Sequence, residues 1–282
     1  MLIEPEVTRT MKTRPGEEAG TMKVSVVMPI HNEEDLLPYS LHSMLNAPVY
    51  EFVFVLDRCT DGSKDIISRF ATRVKRCRIL EKSETSWLNP AAEAYDLGAQ
   101  YASGDCIYFI DADVVVDKRV FDPRHWQEGN ALRFRYYNYD IRGVPIRWAY
   151  EKTLLKITER LGISTGHFAT VIAFKRDHWI KTRQESPPEN VEGLRKNPRL
   201  VLRGIMMREH ERRFVRIADT SCLHLRPKTT ASEQELQGIA RYMLGYRLWK
   251  VVLHSIMYFQ ILTLIAFLHA RSGHYGDLKK WL

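Results

Sequence analysis

The stretch Cys106-Ile107-Tyr108-Phe109-Ile110-Asp111-Ala112-Asp113 decides how the chain is read. Five apolar residues follow the Gly104-Asp105 turn without alternation, the pattern of a strand buried on both faces of a parallel sheet. The run stops where two carboxylates appear. In an open α/β sheet, ligands sit beyond the carboxyl ends of the strands, so the acidic pair lies where a site is expected. If the backbone stays extended there, period-two geometry points Asp111 and Asp113 to one side. Carboxylate oxygens at the end of a rigid element suit a hard divalent cation, Mg²⁺ or Mn²⁺. Such a cation neutralises a diphosphate as it departs. One carboxylate then faces a ribose and the other the metal.

Working back from this strand, the same alternation recurs. Val24-Ser25-Val26-Val27-Met28 reads as a buried strand stopped by Pro29. A helix is expected over 33–45, with Leu36, Leu37, Leu41, Met44 and Leu45 on one stripe. Glu51 to Leu56 is a second strand, and Asp61-Gly62 opens a helix towards Val74. Arg78-Ile79-Leu80 is a weaker third strand, and Ala91 to Ala102 is helical by composition. Alternating strands and helices imply an α/β layer fold with a mostly parallel sheet. His31-Asn32-Glu33, Asp57 to Asp61 and Asp111 to Asp113 follow strands one, two and four, so they converge on one rim. Asp57 is expected to accept from the edge of a nucleotide base, such as the N3–H of uracil. Asp61, before Gly62-Ser63, is the helix cap. Pro29 to Glu34 either wall the base, or Asn32 caps the helix while the acids complement its dipole.

Beyond Asp113 the pattern is less regular. Ala131 to Tyr139 is aromatic and basic, Trp148 to Leu161 looks helical, and Thr170 to Phe174 is a further strand. Gln184 to Asn197, rich in Pro and charge, reads as a loop. Phe214 to Leu225 gives a last strand pair, and Ala231 to His269 is helical. Leu248 to Leu268 is largely apolar but carries Lys250, His254 and Gln260, so a membrane span is borderline. Arg241, Arg247 and Lys250 lead into it, as in an interfacial helix drawn to anionic lipid. The alternative is an amphipathic helix packed on the core or on a second subunit.

These motifs together resemble glycosyltransferase family 2. Val24 to Glu34 is similar to its Val-Ser-Val-Val-x-Pro-x-x-Asn-Glu-Glu opening. Asp57 through Thr60-Asp61-Gly62-Ser63 is similar to its Asp-x-x-Ser/Thr-x-Asp segment. Ala91 to Asp113 is similar to the block that ends in Asp-x-Asp. The resemblance implies a GT-A-type fold, an NDP-sugar donor, a divalent metal and inversion at the anomeric carbon. It places Pro29, Asn32, Glu33 and Asp57 around the base, Asp111 near ribose and diphosphate, and Asp113 on the metal. Gly166 to Arg176 is similar to the strand that floors the acceptor site. The Glu-Asp pair that usually supplies the base is missing; Glu189 and Glu192 are the candidates by position. Asp219 to His224 resembles a strand ending in a His that touches metal or diphosphate, against a hydrogen-bonded core His.

A net charge of +8 favours an anionic partner but does not choose among nucleic acid, membrane surface and phosphorylated substrate. Nothing besides charge supports nucleic acid. No Gly-x-Gly-x-x-Gly follows the first strand, which argues against a nicotinamide dehydrogenase. Pro29 to Glu34 lacks the Gly-rich basic loop of a nucleotidyltransferase, a weaker alternative. A catalytically silent nucleotide-sugar-binding module is the other. Four scattered cysteines read as reduced thiols in a cytoplasmic protein, with the membrane's cytoplasmic face as a further location. The expected organisation is an N-terminal arm (1–22), a glycosyltransferase domain (23–228, with donor and acceptor halves meeting at 117–118) and a helical C-terminal region (229–282). The partners are then an NDP-sugar, a lipid-linked or saccharide acceptor, a membrane surface and, through the C-terminal helices, a second copy.

Overall fold

The apolar runs become the centre of a sheet. In the computed structural model, β1 (Val24–Ile30), β2 (Glu51–Asp57) and β4 (Cys106–Ile110) are almost wholly buried, while β3 (Cys77–Lys82) at the edge buries only Cys77 and Leu80. The structure describes residues 22–85, 90–127, 129–139, 171–185, 215–225, 246–257 and 260–272, with residues 153, 157, 234, 235, 238, 241 and 242. β1 pairs in parallel with β2 and β4, and β2 with β3. The sheet continues through β7 (Val171–Lys175), β6 (Ala131–Asn138), β8 (Val215–His224) and β5 (Val114–Val115), in the order β3-β2-β1-β4-β7-β6-β8-β5. β7 runs antiparallel to β4 and β6, while β6 and β8 are parallel. The sheet is therefore mixed and mostly parallel.

Both faces are covered. α1 (Leu37–Met44) and α2 (Ser63–Ala71) bury Leu37, Leu41, Ile67 and Phe70 against Met28, Phe54 and Tyr108. α3 (Pro90–Tyr101) and α4 (Arg176–Glu185) bury Ala94, Tyr95 and Trp179 against Val27, Val55 and Phe109 on the other face. The odd and even residues of β1, β2 and β4 thus serve two cores, which is why their runs carry almost no polar alternation. Gly98 sets the closeness of α3: a Cβ there would overlap Val27 Cγ1 and come 3.1 Å from Val55 Cγ2.

Three local expectations are corrected. Pro29 does not stop β1 but lies within it, opposite Val55. The Lys23 carbonyl accepts from Cys106 and the Val24 carbonyl from Tyr50, so odd-numbered residues of β1 face β4. The β1–β4 register ends at Val27, so the missing N–H of Pro29 removes no ladder bond. The first helix begins at Leu37 rather than residue 33, because Pro38 fits only in a first turn. Its cap position is Leu36, so Asn32 is not a helix cap. The last strand pair is the single strand β8, and the aromatic, basic stretch at 131–139 forms β6.

The helical reading of 231–269 contains two described helices, α5 (Leu248–Met257) and α6 (Ile261–Arg271), the second starting after Gln260. Among the described residues no helix is long and apolar enough to cross a membrane. The N-terminal arm apart from Met22, the expected helix over 148–161 (apart from residues 153 and 157) and both base candidates, Glu189 and Glu192, lie outside the described residues.

Candidate functional site

β1, β2 and β3 are added outward in one direction, and α3 then returns the chain to place β4 on the far side of β1. That reversal falls at the carboxyl ends of β1 and β4, the usual ligand position in such sheets. The loops after β1 and β2 meet there and are stitched by side chain-to-backbone bonds. Asn32 Oδ1 accepts from the Thr60 N–H at 2.8 Å, and Ser63 Oγ accepts from the Glu33 N–H at 2.9 Å. Asp61 accepts from the Glu34 N–H at 3.0 Å and the Ser63 N–H at 3.1 Å, while Glu34 Oε2 accepts from Gly62 at 2.8 Å. The cap position of α2 is Gly62, so Asp61 is not the helix cap expected; one residue earlier, it ties the loop after β1 to the start of α2. Burial raises its pKa, but the bonds from Glu34 and Ser63 outweigh burial and leave the carboxyl below its ordinary value.

Asp57 ends β2 and is buried, at 3% exposure. Its Oδ1 accepts from Arg58 Nε at 2.8 Å and Lys82 Nζ at 2.9 Å, and its Oδ2 from Arg58 at 3.2 Å. Lys82 also reaches Glu93 on α3 at 3.2 Å. Arg58 holds a left-handed backbone, φ 50°, unfavourable for a side chain with a Cβ. Its N–H bond to the Lys82 carbonyl at 2.8 Å and its fork on Asp57 hold it there. His31 Nδ1 lies 2.6 Å from the Asp57 carbonyl oxygen, which ties the loop after β1 to the same strand end.

The acidic pair after β4 does not continue as an extended strand. Ala112 and Asp113 form a turn, so the expected same-side projection is replaced by two separate settings. Asp111, half-buried, accepts from the Tyr95 hydroxyl at 2.6 Å. Asp113, buried at 8% exposure, lies with Oδ2 3.3 Å from His224 Nε2. β5 and β8 make this contact: Val114 pairs with His224, and the Leu225 N–H bonds the Asp113 carbonyl at 2.8 Å. His224 Nδ1 lies 3.1 Å from Asn138 Oδ1 at the end of β6. Among the described residues no group of three or more His, Cys, Asp or Glu gathers as a metal cluster. A carboxylate and an imidazole still suit a cation that completes its coordination with substrate phosphate oxygens and water.

The sequence reading missed Lys82, Glu93, Tyr95 and Asn138. A signal existed for Lys82: had the third strand been extended past Leu80, Lys82 would have reached the same rim as Asp57, its register partner.

A family model described as Glycosyl transferase family 2 matches residues 25–166, just over half of the chain. The chain belongs to glycosyltransferase family 2. It is similar to the poly(ribitol-phosphate) beta-glucosyltransferase of Bacillus spizizenii, 30% identical over 122 residues, covering 42% of this chain and 17% of that one. It is also similar to the glycosyltransferase GlyG of Streptococcus pneumoniae, 28% identical over 123 residues, covering 42% of this chain and 40% of that one. The matches thus cover well under two thirds of both relatives. Among solved structures, the Pyrobaculum calidifontis mannosyltransferase PcManGT in complex with GDP-Man and Mn²⁺ has a TM-score of 0.50 at 15% identity, covering 93% of this chain and 76% of that chain. Mycobacterium tuberculosis glucosyl-3-phosphoglycerate synthase, in complex with Mn²⁺, UDP-Glc and phosphoglyceric acid, has a TM-score of 0.50 at 16% identity, covering 83% and 85%. At these identities the likeness is one of fold, the GT-A architecture expected of the family 2 sheet.

Proposed function

We propose that this family 2 chain moves a sugar from an NDP-sugar to a lipid-linked or saccharide acceptor, with inversion at the anomeric carbon. The observation that carries this is the meeting of Asp113 and His224, 3.3 Å apart, just past the carboxyl end of β4. Those two residues would hold a divalent metal, Mn²⁺ or Mg²⁺, which when bound offsets the charge of the departing diphosphate. Asp111, steadied by Tyr95, is suited to accept from a ribose hydroxyl. Pro29, Asn32, Glu33 and Asp57 surround the base, with the stitched loops holding that subsite rigid. Direct attack on the face opposite the diphosphate calls for a carboxylate that takes the acceptor proton, the role proposed for Glu189 or Glu192. An acceptor that is already anionic needs no strong base.

The deciding experiment supplies UDP-, GDP- and dTDP-sugars with Mn²⁺ and measures thermal stabilisation, then nucleotide release with candidate acceptors. Stabilisation by one donor, and release abolished in Asp113→Asn, support the reading. Absence of stabilisation by every donor overturns it. Donor binding without release on any acceptor assigns the silent-module alternative.

A further inference from the structure

The two C-terminal helices turn apolar side chains towards solvent at helical spacing. On α5, Trp249 and Ile256 are 56% and 67% exposed, with Val252 and Leu253 half-buried between them. On α6, Ile261 is 67% exposed, and Ile265 and Leu268 follow on the same stripe. These are not misplaced core residues, because both helices already have inward faces. Val251 and Ser255 are buried on α5, and Thr263, Ala266, Phe267 and Ala270 on α6. Gly238 lies so close to α6 that a Cβ would collide with the Thr263 carbonyl, and Tyr242 meets the Phe267 ring edge-on at 5.9 Å. The outward stripes are surplus to packing.

Charge identifies what would cover them. Between Glu235 and Asp277 the sequence holds no carboxylate, while Arg241, Arg247, Lys250 and Arg271 fall inside that interval. Arg247, Lys250 and Arg271 are exposed, and Lys250 lies 5.8 Å from the centre of the Trp249 ring. An apolar stripe on a segment that carries basic and no acidic residues is the pattern of a helix lying in the plane of an anionic bilayer. With 10 and 11 residues, neither helix can span one. A symmetric contact with a second copy would press like charges together.

We propose that α5 and α6 form an interfacial anchor that binds anionic lipid surfaces, seating Trp249, Ile256, Ile261 and Ile265 at the headgroup boundary. The proposal stands whether or not the glycosyl-transfer reading does. The test is flotation of the full chain with vesicles of phosphatidylglycerol in phosphatidylcholine, against phosphatidylcholine alone, at low and high salt. The chain floats with the anionic vesicles and is released by salt. The double variant Ile256→Asp/Ile265→Asp loses binding, and Arg247→Glu/Lys250→Glu weakens it at least about tenfold. Because these positions are exposed, the thermal midpoints of both variants match the parent, which separates loss of binding from loss of fold. No flotation with anionic vesicles, equal flotation with neutral ones, or variants that bind like the parent overturns the proposal. A concentration-dependent dimer that the same substitutions dissolve assigns the stripes to a second copy and likewise overturns it.

Discussion

Lys82 Nζ lies 2.9 Å from Asp57 Oδ1, joining the carboxyl ends of two neighbouring parallel strands. Both side chains are buried, and Lys82 also holds Glu93. Removing the ammonium leaves carboxylates out of water with fewer partners. Lys82→Met is expected to destabilise the fold by about 3 kcal/mol, since breaking a buried ion pair costs more than the pair contributes. Urea unfolding measures this; a loss below about 1 kcal/mol would mean that Arg58 alone satisfies Asp57.

Asp113 and His224 are expected to act together on the metal. Asp113→Asn and His224→Ala should each weaken Mn²⁺ binding by roughly 10- to 100-fold, read by titration followed with electron paramagnetic resonance. The double variant should lose little beyond the worse single one, because removing either group dismantles a shared site. Independent, additive losses would separate the two residues.

Gly98 poses a question of sign. Ala in the middle of a helix gains about 1 kcal/mol over Gly. The added methyl overlaps Val27, and overpacking costs about 1–3 kcal/mol. Gly98→Ala should therefore be destabilising on balance, and Val27→Ala in the same chain should recover part of the loss. A double-mutant cycle on unfolding free energies with no coupling would sink the argument.

Acid should loosen the stitched loops. Asp61 has a folded-state pKa below its unfolded value, because hydrogen bonds from Glu34 and Ser63 outweigh its burial. Its stabilisation is present above the unfolded value, near ~3.9, and is lost as pH falls through the lower folded-state value. The midpoint difference between the parent and Asp61→Asn should be constant at neutral pH and close in strong acid. A difference that stays constant into strong acid would rule the linkage out.

The cysteines should divide by burial. Burial pushes Cys77, Cys106 and Cys222 up to about 12, so their thiolates are scarce at neutral pH. Cys59, half-buried, is raised as well but lies nearer the surface. A chromogenic disulfide reagent should modify Cys59 slowly in the native chain and all four cysteines in denaturant. Rapid native modification of Cys222 would contradict its burial within β8.

The sheet centre was legible because its signal is local. Apart from Ser25 and Glu51, residues 24–28, 51–56 and 106–110 are apolar on both sides, and a strand covered on two faces uses such a run. The loop clusters were legible for a related reason: polar residues interrupt those runs where the strands end. What was misread depended on neighbours. Pro29 looked like a stop because the sequence cannot show that β4 pairing ends at Val27. β6 was not recognised, since Arg133, Tyr136 and Asn138 take their places from β7 and β8, strands distant in the chain.

Sequence alone determined the family, the order of the parallel strands' motifs and the rim on which Asp57, Asp111 and Asp113 would lie, because strand periodicity and motif spacing act over a few residues. Tertiary structure alone decided which groups touch. It turned the backbone at Ala112, gave Asp111 to Tyr95 and brought His224 to Asp113. It also set Lys82 beside Asp57 and left Trp249 and Ile256 facing outward. Those outcomes follow from sheet register and helix packing between distant segments, where the energy of each contact depends on a partner that local pattern does not name.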